Sequence, residues 1–561
     1  MNEFAKTGVA LGAAAVLTAL ALSTGQREVR LDLFDDQGQQ FFPDFTDGDV
    51  IAELDVTAFR EASSDVYAFV VRKDDKGVWT IPSHGNYPAD AKDQMGKAAA
   101  MLIGLTKQQV VGDEPARHAE FGVVDPLAEG VETKGRGKRL TLKDKAGNAL
   151  ADLIVGKEVD GKSGVYYVRV PDKKRVYRTK LEGTLSTQFS DWIETDLLKA
   201  KSWDIDKVVF DNYSVDEQRG EVVPGDKLVL AKDASSKWKL DGIDEQKEET
   251  NDEKARDVAD TLGKIKIVGV RQKPEGLTAR LERTNGIEAQ LLAQQMAAKG
   301  FFLGRGGKLF SNEGDLLFDT KAGVHYTLRF GELVSGEGDE LTAGIGSDKP
   351  KEGDKPKDDK PANNRYLMVT AEFDQALLEK PTGDRVAKDE LDKRKDAKTQ
   401  IQAIQAAVEG YRAAHDKALP PSLTALTEKP AEGTAPLAEL KQDPWGSDYQ
   451  LQPQGDSYVV LSYGADKAEG GDGANADVRS DRLPFEDELQ RTADKWVEYD
   501  KKLEAGRKEA DKLTKRFGPW YYVIDQALFA KLKPKREDLV KAKPAEASGT
   551  NAGAGTTDPN K

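Results

Sequence analysis

The stretch "VYAFVVRKDDKGVWTIPSHGNYPADAKDQMGKAAAMLIGLTKQQVV", residues 66–111, sets the pattern on which much of the chain is built. It contains an apolar strand, a charged turn, a tryptophan, a polar loop and then a helix. A second copy of this order, "KLVLAKDASSKWKLDGIDEQKEETNDEKARDVADTLGKIKIVGV", occupies residues 227–270. Similar order at two places in one chain indicates an internal repeat of a single folding unit.

Each copy predicts one amphipathic helix that packs against a sheet, and runs of alternating apolar residues follow each helix. We therefore predict an α+β fold with two tandem α+β units, residues 49–210 and residues 211–334. The apolar side chains of the two helices recur at spacings of three and four residues: Ala98, Met101, Leu102 and Leu105 in the first copy, and Val258, Leu262 and Ile265 in the second.

Composition divides the rest of the chain. Residues 335–364 are rich in Gly, Pro, Lys and Asp and predict a disordered linker or surface loop. A third host segment, residues 365–388 and 486–541, is predicted to contain a strand, a long helix and a strand followed by a helix. The long helix fits either one helix of a globular domain or a short coiled-coil seam. The polar tail, residues 542–561, carries no ordering signal and is predicted to be disordered.

The overall charge argues against nucleic acid as a partner. The 561 residues include 83 Lys and Arg against 98 Asp and Glu, which gives a net charge of −15. Binding to phosphate backbones needs a concentrated positive surface. The chain has no cysteine, which excludes disulfides, thiol nucleophiles and thiolate metal sites.

The N-terminus predicts attachment to a membrane. No residue from Thr7 to Gln26 is charged, and a helix of that length spans the hydrocarbon core of a bilayer. We predict that residues 1–28 form a single-pass anchor in the cytoplasmic membrane, with the bulk of the chain in the periplasm. A cleaved signal peptide, with Ala19-Leu20-Ala21 as its cleavage site, is the alternative.

Several stretches of the two units and of the third host segment resemble one bacterial family. It is the domain-of-unknown-function family DUF4340, whose membrane-anchored members are encoded beside gliding-motility-type ABC transporters. The resemblance implies an accessory role in an ABC-type envelope complex and implies no chemistry. The stretches are "YPADAKDQMGKAAAMLIGL" (87–105), "EFGVVDP" (120–126), "DWIETDLL" (191–198), "KGFFLGRGGKLFSNEGDL" (299–316) and "FGPWYYVIDQALFAKLKPKREDLV" (517–540).

Residues 389–485 carry a different set of motifs. A helix whose apolar face includes Ile401 precedes a "DPWGSDY" turn (443–449) and the loop "SYGADKAEGGDGANAD" (462–477). This order resembles the globular half of the major pseudopilin of type II secretion systems. In that family the helix continues from an apolar segment that drives filament assembly, whereas here the charged residues 387–398 precede it. We therefore predict an inserted pseudopilin-like domain that does not polymerise as a pilin does.

The Gly- and Asp-rich loop of this domain is a candidate calcium site. Asp466 and Asp477 are eleven residues apart, which is the interval of an EF-hand. Ala468 and Gly470, however, stand where an EF-hand needs oxygen side chains, so that motif is excluded. On residue types alone, a solvated loop without metal remains the alternative.

The resemblance to the pseudopilins implies one structural calcium ion in this loop. The carboxylates of Asp466 and Asp477 match the family's ligands, together with main-chain carbonyls near Tyr463. Asp472 and Asn475 are candidates for additional oxygen ligands. Calcium prefers hard oxygen donors of this kind on a flexible loop.

Other chemistry finds little support in the sequence. The four histidines, His84, His118, His325 and His415, have no partner at metal-ligand spacing. The stretch "LGRGGK" (303–308) lacks the first glycine and the final Ser or Thr of a phosphate loop. We therefore predict a non-catalytic accessory or scaffold subunit. The alternatives are a ligand-binding or hydrolytic component that acts on cell-envelope polymers, and a component of a type II secretion-like pseudopilus.

Overall fold

The computed structural model describes residues 7–8, 11–18, 36–61, 64–130, 133–183, 185–274, 287–304, 308–336, 338–343, 364–431 and 433–543. Helices pack against antiparallel sheets, which confirms the predicted α+β composition. Most of the predicted linker, residues 335–364, lies outside the described residues, but Gly338–Thr342 form a short helix and a strand begins at Asn364, so these parts are ordered elements. The predicted tail lies outside the described residues except for residues 542–543.

The predicted membrane anchor, residues 1–28, also falls mostly outside this range. Residues 7–8 and 11–18 are described, and they are helical. Over the part of the chain that the structure describes, no helix combines the length and the apolar character needed to cross a bilayer.

The first unit is one sheet with helices packed on it. Its strands are β1 (Glu53–Arg60), β2 (Asp65–Lys73), β3 (Trp79–Ile81), β4 (Tyr87–Pro88), β5 (Gln109–Gly112), β6 (Lys138–Lys143), β7 (Ala149–Glu158), β8 (Val165–Arg169) and β9 (Val176–Lys180). Its helices are α1 (Lys92–Leu102) and the short α2 (His118–Phe121). The strands are arranged in the order β4-β3-β2-β1-β6-β7-β8-β9-β5.

The chain then enters the second unit. Its strands are β10 (Ile205–Asp211), β11 (Ser214–Asp216), β12 (Glu221–Val223), β13 (Lys227–Lys232), β14 (Trp238–Leu240), β15 (Glu248–Thr250), β16 (Gly269–Gln272), β17 (Phe301–Leu303), β18 (Leu309–Ser311), β19 (Asp315–Thr320), β20 (Val324–Val334) and β21 (Asn364–Phe373). Its helices are α3 (Asp252–Leu262), α4 (Ile287–Ala297) and α5 (Gly338–Thr342).

The inserted module, residues 389–485, is almost entirely separate from these sheets. It contains nearly all of the long helix α6 (Lys388–Ala414) and the strands β22 (Gln450–Gln454), β23 (Ser457–Ser462) and β24 (Val478–Arg479). The chain returns to the host through α7 (Leu483–Phe517), β25 (Trp520–Asp525), α8 (Gln526–Lys531) and β26 (Val540–Ala542).

The two large sheets share one strand order. Without β4, the first is β3-β2-β1-β6-β7-β8-β9-β5, and the second is β14-β13-β10-β19-β20-β21-β25-β16. Each strand of the second sheet therefore has a counterpart at the same place in the first, and β21 and β25 stand where β8 and β9 stand. The repeat in the sequence marks two units of the same topology.

The second unit extends further along the chain than the sequence suggested. We expected it to end at residue 334, yet its sheet includes β21 and β25, which the sequence assigned to a third host segment. β21 pairs with β20 on one side and with β25 on the other. The strands on either side of the inserted module thus complete the second sheet, and α7 packs against it.

The module occupies the position of a hairpin connection. In the first unit residues 170–175 join β8 to β9, whereas residues 374–519 separate β21 from β25 in the second. The two ends of a hairpin connection lie side by side, so a long insertion there adds little loop-closure entropy and leaves the sheet intact.

One apolar core runs through both units. All seven side chains of the predicted helical stripes are buried in it, including Leu102 and Leu262, which are fully inaccessible. The helix α3 begins at Asn251, whose side chain accepts a hydrogen bond from the backbone N–H of Lys254. This cap satisfies one of the free N–H groups at the start of a helix.

His84 lies in the contact between the two units. Its ring stacks on Phe189 with ring centroids 4.1 Å apart. Its Nε2 is 3.0 Å from Oγ1 of Thr342, which belongs to the second unit. Burial, followed by the charge of Arg271, lowers the pKa of His84 to about 4. The imidazole is therefore neutral in the folded protein at neutral pH.

This burial predicts a loss of stability in weak acid. A histidine in the unfolded chain has its ordinary pKa of 6.5, so the unfolded state binds more protons than the folded state between that value and about 4. Stability therefore falls as the pH drops through this window, and between pH 7 and pH 5 His84 accounts for a loss of about 2 kcal/mol. We expect His84→Gln to remove that part of the pH dependence in urea unfolding.

The exposed His415 provides the control. His415→Gln should keep the full pH dependence of the wild type, because this ring lies at the surface of the inserted module. A His84→Gln variant that loses as much stability as the wild type between pH 7 and pH 5 would contradict the assignment.

Candidate functional site

The inserted module has its own apolar core, built on one face of α6. Ile401, Ile404 and Val408 recur at helical spacing and are buried against Val460 of β23 and Val478 of β24. The small sheet β22-β23-β24 therefore packs across the helix. Residues 463–477 connect β23 to β24, and we call them the closing loop. The packing places this loop beside the N-terminal part of α6.

A buried carboxylate holds the start of the closing loop. The Asp443 Oδ1 accepts hydrogen bonds from the backbone N–H groups of Trp445 and Ser447, which closes the "DPWG" turn. Its Oδ2 accepts a hydrogen bond of 2.5 Å from Oγ of Ser462, the last residue of β23. The two motifs recognised separately in the sequence are thus joined through one side chain.

Asp466 and Asp477 stand near the two ends of the closing loop. Asp477 is buried, and its Oδ2 accepts a hydrogen bond of 3.0 Å from the backbone N–H of Gly470. Its Oδ1 is buried without a hydrogen-bond partner among the described residues. Burial raises the pKa of Asp477; the charges of Asp466 and Glu469 raise it further, and the Gly470 N–H and Arg479 oppose the shift.

The other two predicted ligands are placed differently. The Tyr463 side chain is half-buried and the Asp472 side chain is exposed. Neither forms a side-chain hydrogen bond or ion pair with another described residue. The structure thus brings Asp466 into electrostatic reach of Asp477. Within the described ranges, no group of three or more His, Asp or Glu side chains is arranged to hold a metal ion.

A buried ion pair lies next to this loop and joins the module to its host. Arg394 of α6 donates from Nε to Glu486 Oε2 at 2.8 Å and from Nη2 to Glu486 Oε1 at 2.7 Å. The side chain of Arg394 is 2% exposed and that of Glu486 is 5% exposed. Glu486 belongs to the first turns of α7, on the host side of the insertion.

The same arginine also holds the closing loop. Its Nη1 donates to the carbonyl oxygens of Ala474 at 2.9 Å and Ala476 at 2.8 Å. Ala476 directly precedes Asp477, so the guanidinium fixes the backbone beside the buried carboxylate. Around this group, Leu391 of α6 packs in an apolar cluster with Leu489 of α7. We call Arg394, Glu486 and these two carbonyls the junction.

Two parts of the chain match known protein families. Residues 79–282 match the family "Domain of unknown function (DUF4340)". Residues 386–481 match the family "Type II secretion system (T2SS), protein G". The type II secretion system core protein G of Vibrio cholerae serotype O1 is 36% identical over 105 residues, which is 16% of this chain and 69% of that protein.

Through its inserted module, the chain belongs to the type II secretion system protein G family. Both resemblances noted in the sequence are confirmed. The protein G match ends at residue 481, so Arg394 and the closing loop lie inside it and Glu486 lies outside it. The junction is therefore a contact between the protein G module and the host.

The closing loop of the protein G module suits a hard cation in its chemistry. Asp477 offers a buried carboxylate oxygen that accepts no hydrogen bond from the described part of the chain, and a buried polar atom of this kind is costly unless a partner is supplied. The carboxylate of Asp466 and the main-chain carbonyls of the loop are oxygen donors of the type that calcium accepts. These residues fit a calcium ion better than they fit zinc, which prefers nitrogen and sulfur.

Reasoning from the sequence missed both members of the junction. The sequence identified residues 387–398 only as a charged stretch unsuited to filament assembly, because nine of the twelve side chains between Ala387 and Lys398 are charged. One signal was available. Arg394 falls between Leu391 and Ala397 on the buried stripe of α6, at the helical spacing of three residues. A charge on an apolar stripe indicates a buried partner.

The burial of the junction predicts a large and non-additive effect on stability. Glu486→Gln leaves the Arg394 guanidinium buried without its counter-charge, and such a loss costs about 3–5 kcal/mol. Arg394→Met combined with Glu486→Leu removes both charges, so we expect the double variant to lose less than the sum of the two single variants. Urea unfolding of the full chain measures these differences.

An exposed ion pair of the same module is the matched control. Arg479 and Asp481 form a pair near the surface, and Asp481→Asn should cost less than about 1 kcal/mol. Additive losses at Arg394 and Glu486, or a loss at Glu486 as small as that at Asp481, would contradict the role assigned to the junction.

Proposed function

We propose that this protein is a non-catalytic, membrane-anchored scaffold of the bacterial cell envelope that presents a protein G module to a partner complex. An ABC-type transporter is the partner that the DUF4340 likeness favours. The anchor is proposed for residues 1–28, with the bulk of the chain in the periplasm. Calcium is proposed as a structural ion of the closing loop.

The observation that carries the proposal is the junction. A module joined only by flexible connections would move freely against its host, whereas Arg394 and Glu486 form a bidentate contact that is almost fully buried. Bidentate arginine–carboxylate pairs fix orientation as well as distance. The host therefore holds the protein G module in one fixed orientation. A scaffold needs a fixed orientation in order to present a binding surface.

The described part of the N-terminal helix is compatible with the anchor. Leu11, Val16 and Leu17 are each at least 60% exposed. Apolar side chains that stand out from a helix on several sides suit a lipid environment. This observation supports placement of the host at a membrane surface.

Calcium would act on the closing loop by binding its folded form. In the proposed site Asp466 and Asp477 hold the ion together with loop carbonyls, and the ion adds positive charge beside the buried carboxylate of Asp477. A ligand that binds only the folded state stabilises it according to its concentration. The ion would thus stiffen the loop segment that Arg394 holds from the opposite side.

A second candidate function is a component of a pseudopilus of the type II secretion kind. The protein G match favours it. The start of α6 argues against filament growth in the manner of a pilin, because Leu391 and Arg394 are buried against the host helix α7. We therefore place this candidate second.

The calcium proposal predicts opposite effects of one substitution with and without the ion. Without calcium, Asp477→Asn should leave the melting temperature unchanged or raise it, because it removes a buried charge that burial disfavours. With calcium, the wild type should melt at a higher temperature than without it, and neither Asp477→Asn nor Asp466→Ala should respond. Thermal unfolding of the full chain in calcium and in chelator provides the measurement.

The exposed Asp456, in the turn between β22 and β23, provides the control for charge. Asp456→Asn should respond to calcium as the wild type does. A wild type that melts at the same temperature in calcium and in chelator would contradict the calcium site. The proposed scaffold role does not depend on that result.

The scaffold proposal predicts that the module is needed for capture of the partner. We expect ABC-transporter subunits to co-purify with the full chain from detergent-solubilised membranes. A variant in which a Gly/Ser linker replaces residues 389–485, combined with Glu486→Gln to avoid an unpaired buried charge, should lose this capture and remain folded. Recovery of pseudopilus subunits in place of transporter subunits would favour the second candidate, and recovery of neither would contradict the scaffold role.

A further inference from the structure

The correspondence between the two large sheets extends to single residues. The pairing register of β7 with β8 shifts directly after Val155, and that of β20 with β21 shifts directly after Phe330. Beyond the shift, the next paired residue of the neighbouring strand is Tyr166 in the first unit and Arg365 in the second. Because the strands are counterparts in the two sheets, Val155 corresponds to Phe330 and Tyr166 corresponds to Arg365.

In the second unit an aromatic side chain of α8 covers this place. Phe529 of α8 is buried, and its ring centroid lies 4.8 Å from that of Phe330. The guanidinium carbon of Arg365 lies 4.4 Å from the centroid of the same ring. Arg365 also donates from Nε to Oε1 of Gln526, the first residue of α8, at 2.9 Å. The second unit thus closes this end of its core with its own helix.

The same place in the first unit is an open cavity of about 240 Å³. Val155 and Tyr166 are half-buried there, whereas their counterparts in the second unit are buried. Residues 181–183 and 185–188, which follow β9 in the described chain, form no helix, so they contain no counterpart of α8. The residues that line the cavity include Met101, Lys138, Leu140, Val155, Tyr166 and Leu181.

The cavity has the size and the lining that suit one aromatic side chain. Apolar cavities of about 150 Å³ in proteins take up benzene, so a cavity of about 240 Å³ has room for the ring of a phenylalanine. Met101, Leu140 and Leu181 are buried and give the cavity apolar walls, while the exposed Lys138 lies at its mouth. Filling such a cavity with an apolar group removes apolar surface from water.

We propose that the first unit binds a helix of a partner protein by accepting one aromatic side chain of that helix in this cavity, as the second unit accepts Phe529 of α8. Buried aromatic anchors contribute much of the binding energy of protein interfaces, and an amphipathic helix in an apolar groove is a recurring mode of recognition. The inference concerns the host alone and depends neither on the closing loop nor on the membrane anchor.

A labelled peptide that copies residues 524–535, which include α8, is the probe for this site. Fluorescence anisotropy should show saturable binding of the peptide to the full chain. The same peptide with Phe529→Ala should bind about ten- to a hundredfold more weakly, because it lacks the ring that the cavity buries. The peptide with Lys531→Ala is the matched control and should bind as the unchanged peptide does, since Lys531 is exposed in α8.

A substitution in the full chain assigns the binding to the first unit. Val155→Arg places a charge in the cavity and should weaken the affinity for the peptide by about tenfold or more. Val223→Arg, at an exposed valine of β12, is the matched control and should bind the peptide as the wild type does. Tyr166→Ala removes part of a cavity wall, should also weaken binding, and serves if Val155→Arg fails to fold.

Three results would overturn the proposal. They are the absence of saturable binding, equal affinity for the peptides with and without Phe529, and wild-type affinity in a folded Val155→Arg or Tyr166→Ala variant.

Discussion

The ion pair between Arg394 and Glu486 is the contact through which the two parts of this protein become one structure. Its members come from opposite sides of a family boundary: the arginine lies within the protein G match and the glutamate lies within the host. Charges removed from water are costly unless they are paired with good geometry and further hydrogen bonds. Here both requirements are met, because the guanidinium also binds two carbonyl oxygens of the closing loop. The orientation of the module relative to the host and the conformation of the closing loop therefore both depend on the side chain of Arg394.

The host accepts the module because of the way its second unit is built. The two large sheets share one strand order, and the insertion replaces a connection that in the first unit occupies only residues 170–175. The ends of such a connection are already held side by side by β21 and β25. The inserted residues consequently do not need to close a loop, and the fold of the second sheet is completed by the chain that returns through α7.

Charge is unevenly distributed over the described part of this protein. The chain carries a net charge of −15, yet the ammonium groups of Lys273 and Lys299 both lie near the ring of Tyr521 on one face of the second sheet. In the closing loop the opposite holds, since Asp477 is buried in the company of Asp466 and Glu469.

The sequence by itself determined the repeat, the α+β class and the presence of a protein G module, because each depends on local order and spacing along the chain. The apolar stripes that include Leu102, Leu262 and Ile401 follow directly from helical periodicity. Only the tertiary structure decided that β21 and β25 complete the second sheet, that Arg394 meets Glu486, and that Lys273 and Lys299 share the ring of Tyr521. Those contacts join residues far apart in the chain, and a charged side chain in a sequence looks the same whether it faces water or a buried partner.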